Sequence, residues 1–297
     1  MMRIFYIIMQ VIVIIGLAPL ISGLIAKIKN DLRLRRGPSI FQPYFNLAKY
    51  FMKDEVVSEH ASWIFRAAPF IVFAATVTAA VLVPAFFPVG VEQYIGDFIT
   101  LIFLLSLGRF FLSLAGLDPA SAFGGMGSSR EMFIASFVEP IVLLSILGVS
   151  LVAGTTNLAA VSSARAMTIS ASLAVAALFL VTLAETSRIP VDNQETHLEL
   201  TMVHEAMVLE YSGRSLALLE LSAYVKQMIF FSIIAGLVLT NLSISPFFYL
   251  AKIVVIAVIV ALVELSVAKM RLFRVVDFLA FAGILSVLSI IAVVLGV

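Results

Sequence analysis

"IFYIIMQVIVIIGLAPLISGLIA", residues 4–26, runs for 23 residues without a charge. As a helix, about 20 apolar residues suffice to cross the hydrocarbon of a bilayer. The run is too long for the core of a cleaved signal peptide. Its basic cluster (Lys27, Lys29, Arg33, Arg35, Arg36) follows it instead of preceding it, so it is read as an uncleaved first membrane span. The rest of the chain has the same character: 62% of residues are hydrophobic, 12% are charged and the mean hydropathy is +1.13. An ordinary soluble domain is about a quarter charged, so the membrane class follows.

Runs of this kind recur, and the pattern predicts eight spans, at about 4–26, 67–88, 98–117, 131–154, 167–184, 221–242, 247–268 and 276–297. An even number places both termini on one side. Fourteen of the 19 Lys and Arg fall after spans one, three, five and seven, whereas the opposite connections hold Arg3 and Arg165. The positive-inside rule then puts both termini outside the cell membrane and the connections 27–66, 118–130, 185–220 and 269–275 in the cytoplasm. The expected fold is an all-α integral membrane protein with a single polytopic membrane domain over 1–297 and about eight transmembrane helices. A short amphipathic cytoplasmic helix, either lying along the membrane surface or merely covering the bundle, is expected in the first connection, where Tyr44, Phe45, Ala48, Phe51 and Met52 alternate at helical spacing with Gln42, Asn46, Lys49 and Lys53. The chain has no cysteine, so disulfides, iron–sulfur clusters and thiolate-held metal are not expected in it. A net charge of +1 gives no reason to expect nucleic acid.

An ionised group near the bilayer centre costs about 2.5–3.5 kcal/mol even on the lenient insertion scale. Arg109, Glu139, Lys252 and Glu264 therefore each need a reason. Arg109 and Glu139 both lie eight residues, about 12 Å, from the expected inner edges of their spans. Equal depth predicts that they neighbour one another or share a polar cavity, with Glu139 exchanging protons and Arg109 as its counter-ion; a static ion pair locking two helices is the alternative. Glu264 lies about one turn from an inner end, while Lys252, nearer an outer end, is expected to snorkel. Glu131 and Glu185 mark inner ends of spans. For Glu131 the dipole of a helix start is a sufficient reason.

The stretch 185–214 gathers six of the 18 acids (Glu185, Asp192, Glu195, Glu199, Glu205, Glu210) and two of the three histidines. Arg188 is expected to anchor it by pairing with one of these acids, and Glu205 and Glu220 are expected to be plain surface charges. "HEAMV" (204–208) opens like a zinc-protease motif but has Val208 where the second histidine is required. His197 and His204 are seven apart, about two helical turns, too far to share an ion by themselves. No metal site is expected. "GGMGSS" (124–129) lacks the lysine of a phosphate loop and reads as a flexible turn, with Ser128 or Ser129 capping the fourth span.

Three stretches, "RRGPSIFQPYFNLAKYFMKDEV" (35–56), "FGGMGSSREMFIASFVEP" (123–140) and "ETSRIPVD" (185–192), together resemble the cytoplasmic signatures of the complex I subunit 1 family. The resemblance covers nearly the whole chain. It implies a platform on which a peripheral redox arm docks, with membrane carboxylates starting a proton path toward antiporter-like subunits. Carried onto this sequence, the proton path comprises Glu131, Glu139, Glu185, Glu195, Glu199, Glu210, Glu264, Arg109, His197 and His204, and docking falls to Arg35, Arg36, Arg130, Arg188 and Asp192. His197 stands where the quinone-reducing branch has an acid. The segment before Glu210, Tyr211 and Ser212 is also about three residues longer. "THLELTMVHEAMVLEYSGRSLALLE" (196–220) and "VELSVAKMRLFRVVDF" (263–278) are instead similar to membrane subunits of group 4 nickel–iron hydrogenases, including formate hydrogenlyase. The resemblance thus implies a subunit without a cofactor of its own. Its partners would be hydrogenase-type large and small subunits that carry nickel–iron and iron–sulfur centres, a ferredoxin-like subunit, antiporter-like membrane subunits and lipid. The competing expectation is the quinone-site subunit of a complex I-type oxidoreductase. A stand-alone transporter would commonly show inverted repeats with broken helices, and the sequence has neither.

Overall fold

The computed structural model describes residues 2–85, 96–163, 168–192, 202–238 and 246–296. In these the helices, in chain order, are α1 (Met2–Leu32), α2 (Gln42–Phe51), α3 (Trp63–Leu82), α4 (Phe98–Leu117), α5 (Ala122–Ala153), α6 (Leu158–Ser163), α7 (Ile169–Glu185), α8 (His204–Val208), α9 (Gly213–Leu237), α10 (Pro246–Ser266) and α11 (Leu272–Leu295). Seven of them are long and apolar enough to cross a membrane, and α7 is a shorter apolar helix. Each of the eight expected spans thus has its helix, and the chain is an all-α, multi-pass membrane protein.

Hydroxyl caps start several of these helices. Ser62, Ser121 and Thr168 accept the N–H of Ile64, Gly124 and Ala171 at the heads of α3, α5 and α7, which satisfies donors that lipid could not. Helix α7 is packed against α5, α9 and α11, and Ala177, Leu178 and Val181 have no exposed surface. A helix clothed by protein on several sides can be shorter than one that faces lipid.

The connections meet at one end of the bundle, the end that carries the basic residues. Both the N–H and the hydroxyl of Ser62 donate to Asp118, at 2.6 Å each. The Tyr211 hydroxyl donates to the Phe65 carbonyl (2.9 Å) while its ring stacks on Phe65 at 4.0 Å. Burial, and after it the Asp118 carboxylate, push the Tyr211 phenol well above its ordinary pKa. The Met270 N–H donates to the Pro190 carbonyl (2.9 Å), tying the α10–α11 connection to the turn after α7.

One expectation fails here. "GGMGSS" is helix, not turn: α5 starts at Ala122 with Ser121 as its cap, and Ser128 is buried inside the bundle. The glycines serve close packing. A Cβ on Gly124 would run into the carbonyl oxygen of Gly116 in α4, so the absence of a side chain lets the two helices touch. Glu131 therefore lies well inside α5, and a dipole at a helix start no longer accounts for it.

Candidate functional site

Two buried ionic clusters are built by helices that are distant in sequence. The first surrounds Arg109 of α4. Its guanidinium lies 3.3 Å from Glu131 and 2.9 Å from Glu139, both on α5, and also contacts Glu185 at the end of α7. Lys226 of α9 reaches Glu185 at 2.7 Å. The expected neighbourhood of Arg109 and Glu139 is thus present, and it is larger than the sequence suggested: two cations face three carboxylates. Groups so close act on one another strongly, because little water lies between them to screen their charges.

Arg109, Glu131, Glu185 and Lys226 line a cavity of about 250 Å³, whose wall also includes His204, Glu205, Glu220, Tyr224, Gln227 and Ser22. With a water occupying about 30 Å³ of liquid, there is room for several. Glu205 and Glu220, expected as plain surface charges, belong to this wall. Glu139 faces the other way. Its side chain is 38% exposed and falls on one exposed stripe with Met132, Ser136, Pro140 and Leu143, on the outside of α5. The cluster so connects an internal polar cavity with an outer surface of the bundle.

The second cluster joins α1, the turn after α7, α9 and α10. Glu264 pairs with Lys29 (2.6 Å) and Arg188 (3.1 Å), and Arg188 also donates to Gln227 (2.7 Å) and Ser22 (3.4 Å). Lys29, Arg188, Gln227 and Glu264 are all buried. Arg188 does anchor its segment, yet its acid is Glu264 of α10 and not one of the acids of 185–214. A group turned inward in this way presents no charge to a docking partner.

Asp192 is buried as well. It pairs with Lys269 (2.6 Å) and accepts the N–H of Val203 (3.2 Å) and His204 (3.1 Å) at the start of α8. Arg130 donates to the Met202 carbonyl (3.1 Å). These two residues fasten the start of α8 to the turn after α7, to Lys269 and to α5. Arg35 and Arg36 are exposed beyond α1, and Glu210 is exposed after α8, away from the cavity wall. Glu195, His197 and Glu199 lie outside the described residues. Lys252 donates to the Ala235 carbonyl (3.2 Å) in the last turn of α9, a cation placed where the helix dipole favours one.

Sequence reasoning missed Lys29, Lys226, Gln227 and Tyr224. Lys226 lies inside an apolar span, and the rule that singled out Arg109 applies to it equally.

The NADH dehydrogenase family model matches residues 4–296. Hydrogenase-4 component C of Escherichia coli (strain K12) is 36% identical over 234 residues, 77% of this chain and 73% of that protein. Formate hydrogenlyase subunit 4 of the same organism is 30% identical over 240 residues, 79% and 77% of the two chains. NADH-quinone oxidoreductase subunit 8 of Rhodothermus marinus is 29% identical over 220 residues, 68% and 62%. Among solved structures, a chain of the membrane-bound sulfane sulfur reductase, an archaeal respiratory membrane complex, superposes with a TM-score of 0.83, covering 98% of this chain and 99% of that one. At 18% identity that likeness is one of fold.

Proposed function

Because this chain belongs to the complex I subunit 1 family of respiratory membrane-complex subunits, we propose that it is the membrane-anchor and proton-path subunit of an energy-converting, formate hydrogenlyase-like hydrogenase. The observation that carries this reading is the Arg109 cluster, in which Glu131 and Glu185 line a cavity at the basic end while Glu139, paired with the same arginine, is exposed on the outside of α5. The basic end faces the cytoplasm and receives the hydrogenase-type subunits and a ferredoxin-like subunit, which hold the nickel–iron and iron–sulfur centres. Protons enter by the cavity. A carboxylate left facing lipid would be costly, so the stripe of Met132, Ser136, Glu139 and Leu143 is covered by an antiporter-like membrane subunit that accepts the proton. Two relatives whose names are those of hydrogenase components, at 36% and 30% identity, favour this reading over a quinone-site subunit.

The test is the complex purified with its partners and reconstituted in vesicles. Wild type should evolve hydrogen and acidify or alkalinise the lumen in step. Glu139→Gln should keep hydrogen evolution while coupled transport falls to background. Bound quinone with quinone reduction, or full transport in Glu139→Gln, would overturn the proposal.

A further inference from the structure

Helix α2 has three distinct faces. Leu47 is buried, and the Tyr44 hydroxyl donates to the Gly16 carbonyl of α1. Burial, and after it the Glu220 and Glu205 carboxylates, hold the Tyr50 phenol above its ordinary pKa. A second stripe, Phe41, Phe45, Ala48 and Met52, recurs at intervals of four, three and four residues and is exposed throughout, Phe45 to 63% and Met52 to 85%. Displaced from it by one residue is a polar stripe, Gln42, Asn46, Lys49 and Lys53, whose two lysines are exposed.

The contacts with α1 fix the level of this helix. Gly16 lies ten residues, about 15 Å, inside the end of the uncharged run at Ala26. A Cβ on Gly23 would strike the Ile40 carbonyl, so the chain entering α2 is pressed against α1 over the same stretch. The start of the apolar stripe is thus level with membrane-embedded residues of α1, and its end, where the Lys53 and Asp54 carbonyls lie against Gly213, is level with the start of α9 at the basic end. Trp63, the chain's one tryptophan, heads α3 with 70% of its surface exposed, as tryptophans do at a membrane–water boundary.

We propose that α2 is a binding site for an anionic phospholipid of the adjoining leaflet. Its acyl chains lie against Phe41, Phe45 and Met52, and its phosphate meets Lys49 and Lys53. A soluble partner does not reach a face at this depth. The two lysines supply the charge complementarity, since the nearby Glu55 carboxylate is engaged by the Ser215 N–H at 2.6 Å. A lysine near an anionic membrane surface is worth about fivefold in affinity, so the pair gives roughly thirtyfold.

The experiment uses the whole complex in vesicles of phosphatidylcholine with a minor share of phosphatidylglycerol, followed by extraction in neutral detergent and mass spectrometry of the lipid retained. Wild type should keep phosphatidylglycerol over phosphatidylcholine. Lys49→Gln with Lys53→Gln should lose that preference by roughly thirtyfold while assembling normally. Arg271→Gln with Arg274→Gln, which alters exposed basic residues at the start of α11, should behave as wild type. No preference in wild type, or equal loss in both double variants, would overturn the site. So would photo-crosslinking from position 45 to a protein subunit instead of lipid.

Discussion

The Arg109 and Arg188 clusters are both buried arginines tied to carboxylates, yet they differ in balance and in access. Around Arg109, two cations meet three acids, and the group touches a cavity on one side and an exposed stripe on the other. Around Arg188, two cations enclose the single acid Glu264, every charged member is buried, and the partners come from four separate segments. An excess of acids with an exit suits proton exchange. A single acid shared by two cations suits a clamp. Burial of charge alone therefore does not mark a functional group; the balance of charge and the presence of a way in and out do.

The largest expected effect would break the clamp. Glu264→Leu leaves Lys29 and Arg188 as buried cations without their acid, at a cost of about 3–5 kcal/mol. The variant should fail to accumulate in membranes, whereas Lys29→Met, which leaves Glu264 paired one to one with Arg188, should assemble. Immunoblots of the membrane fraction decide this, and normal accumulation of Glu264→Leu would end the distinction between the clusters. Next comes Glu185→Gln, which weakens the carboxylate that, among the described residues, Arg109 and Lys226 share. Assembly should persist, because Glu131 and Glu139 still face Arg109, while coupled transport in vesicles drops to background. A smaller change is expected from Tyr211→Phe. It keeps the ring stacked on Phe65 and loses one hydrogen bond, about 1 kcal/mol, seen as a modest fall in melting temperature with transport intact. Smallest is Lys252→Met, which removes a cation from the end of α9, at about 0.3–1 kcal/mol. If Lys252→Met instead abolished transport, a path would run through α9 and α10 as well.

The eight spans were legible because lipid leaves a chain little choice: each crossing needs a long, predominantly apolar run, and the basic residues sort to one side. The meeting of Arg109 and Glu139 was legible too, since two neighbouring spans allow depth to be counted in residues. Lys226 and Glu185 were not paired in the sequence, because they sit on α9 and α7 and nothing local says that those helices touch. Lys29 looked like one more basic residue after the first span. Its burial depends on α10 arriving with Glu264, 235 positions later. The start of α5 was misjudged for a different reason: glycine signals both a turn and a close helix contact, and only the position of the Gly116 carbonyl tells them apart.

The Asp192–Lys269 pair has a consequence for the order in which the protein matures. Asp192 emerges from the ribosome long before its counter-ion, which follows α10, 77 positions on. Until that helix has been inserted, the turn that orders the start of α8 lacks its cation, and the Met270 clip on Pro190 has not been made. The start of α8 thus gains its full set of contacts only after α10 has been made, so this end of the bundle takes its final form later than the helices that first build it.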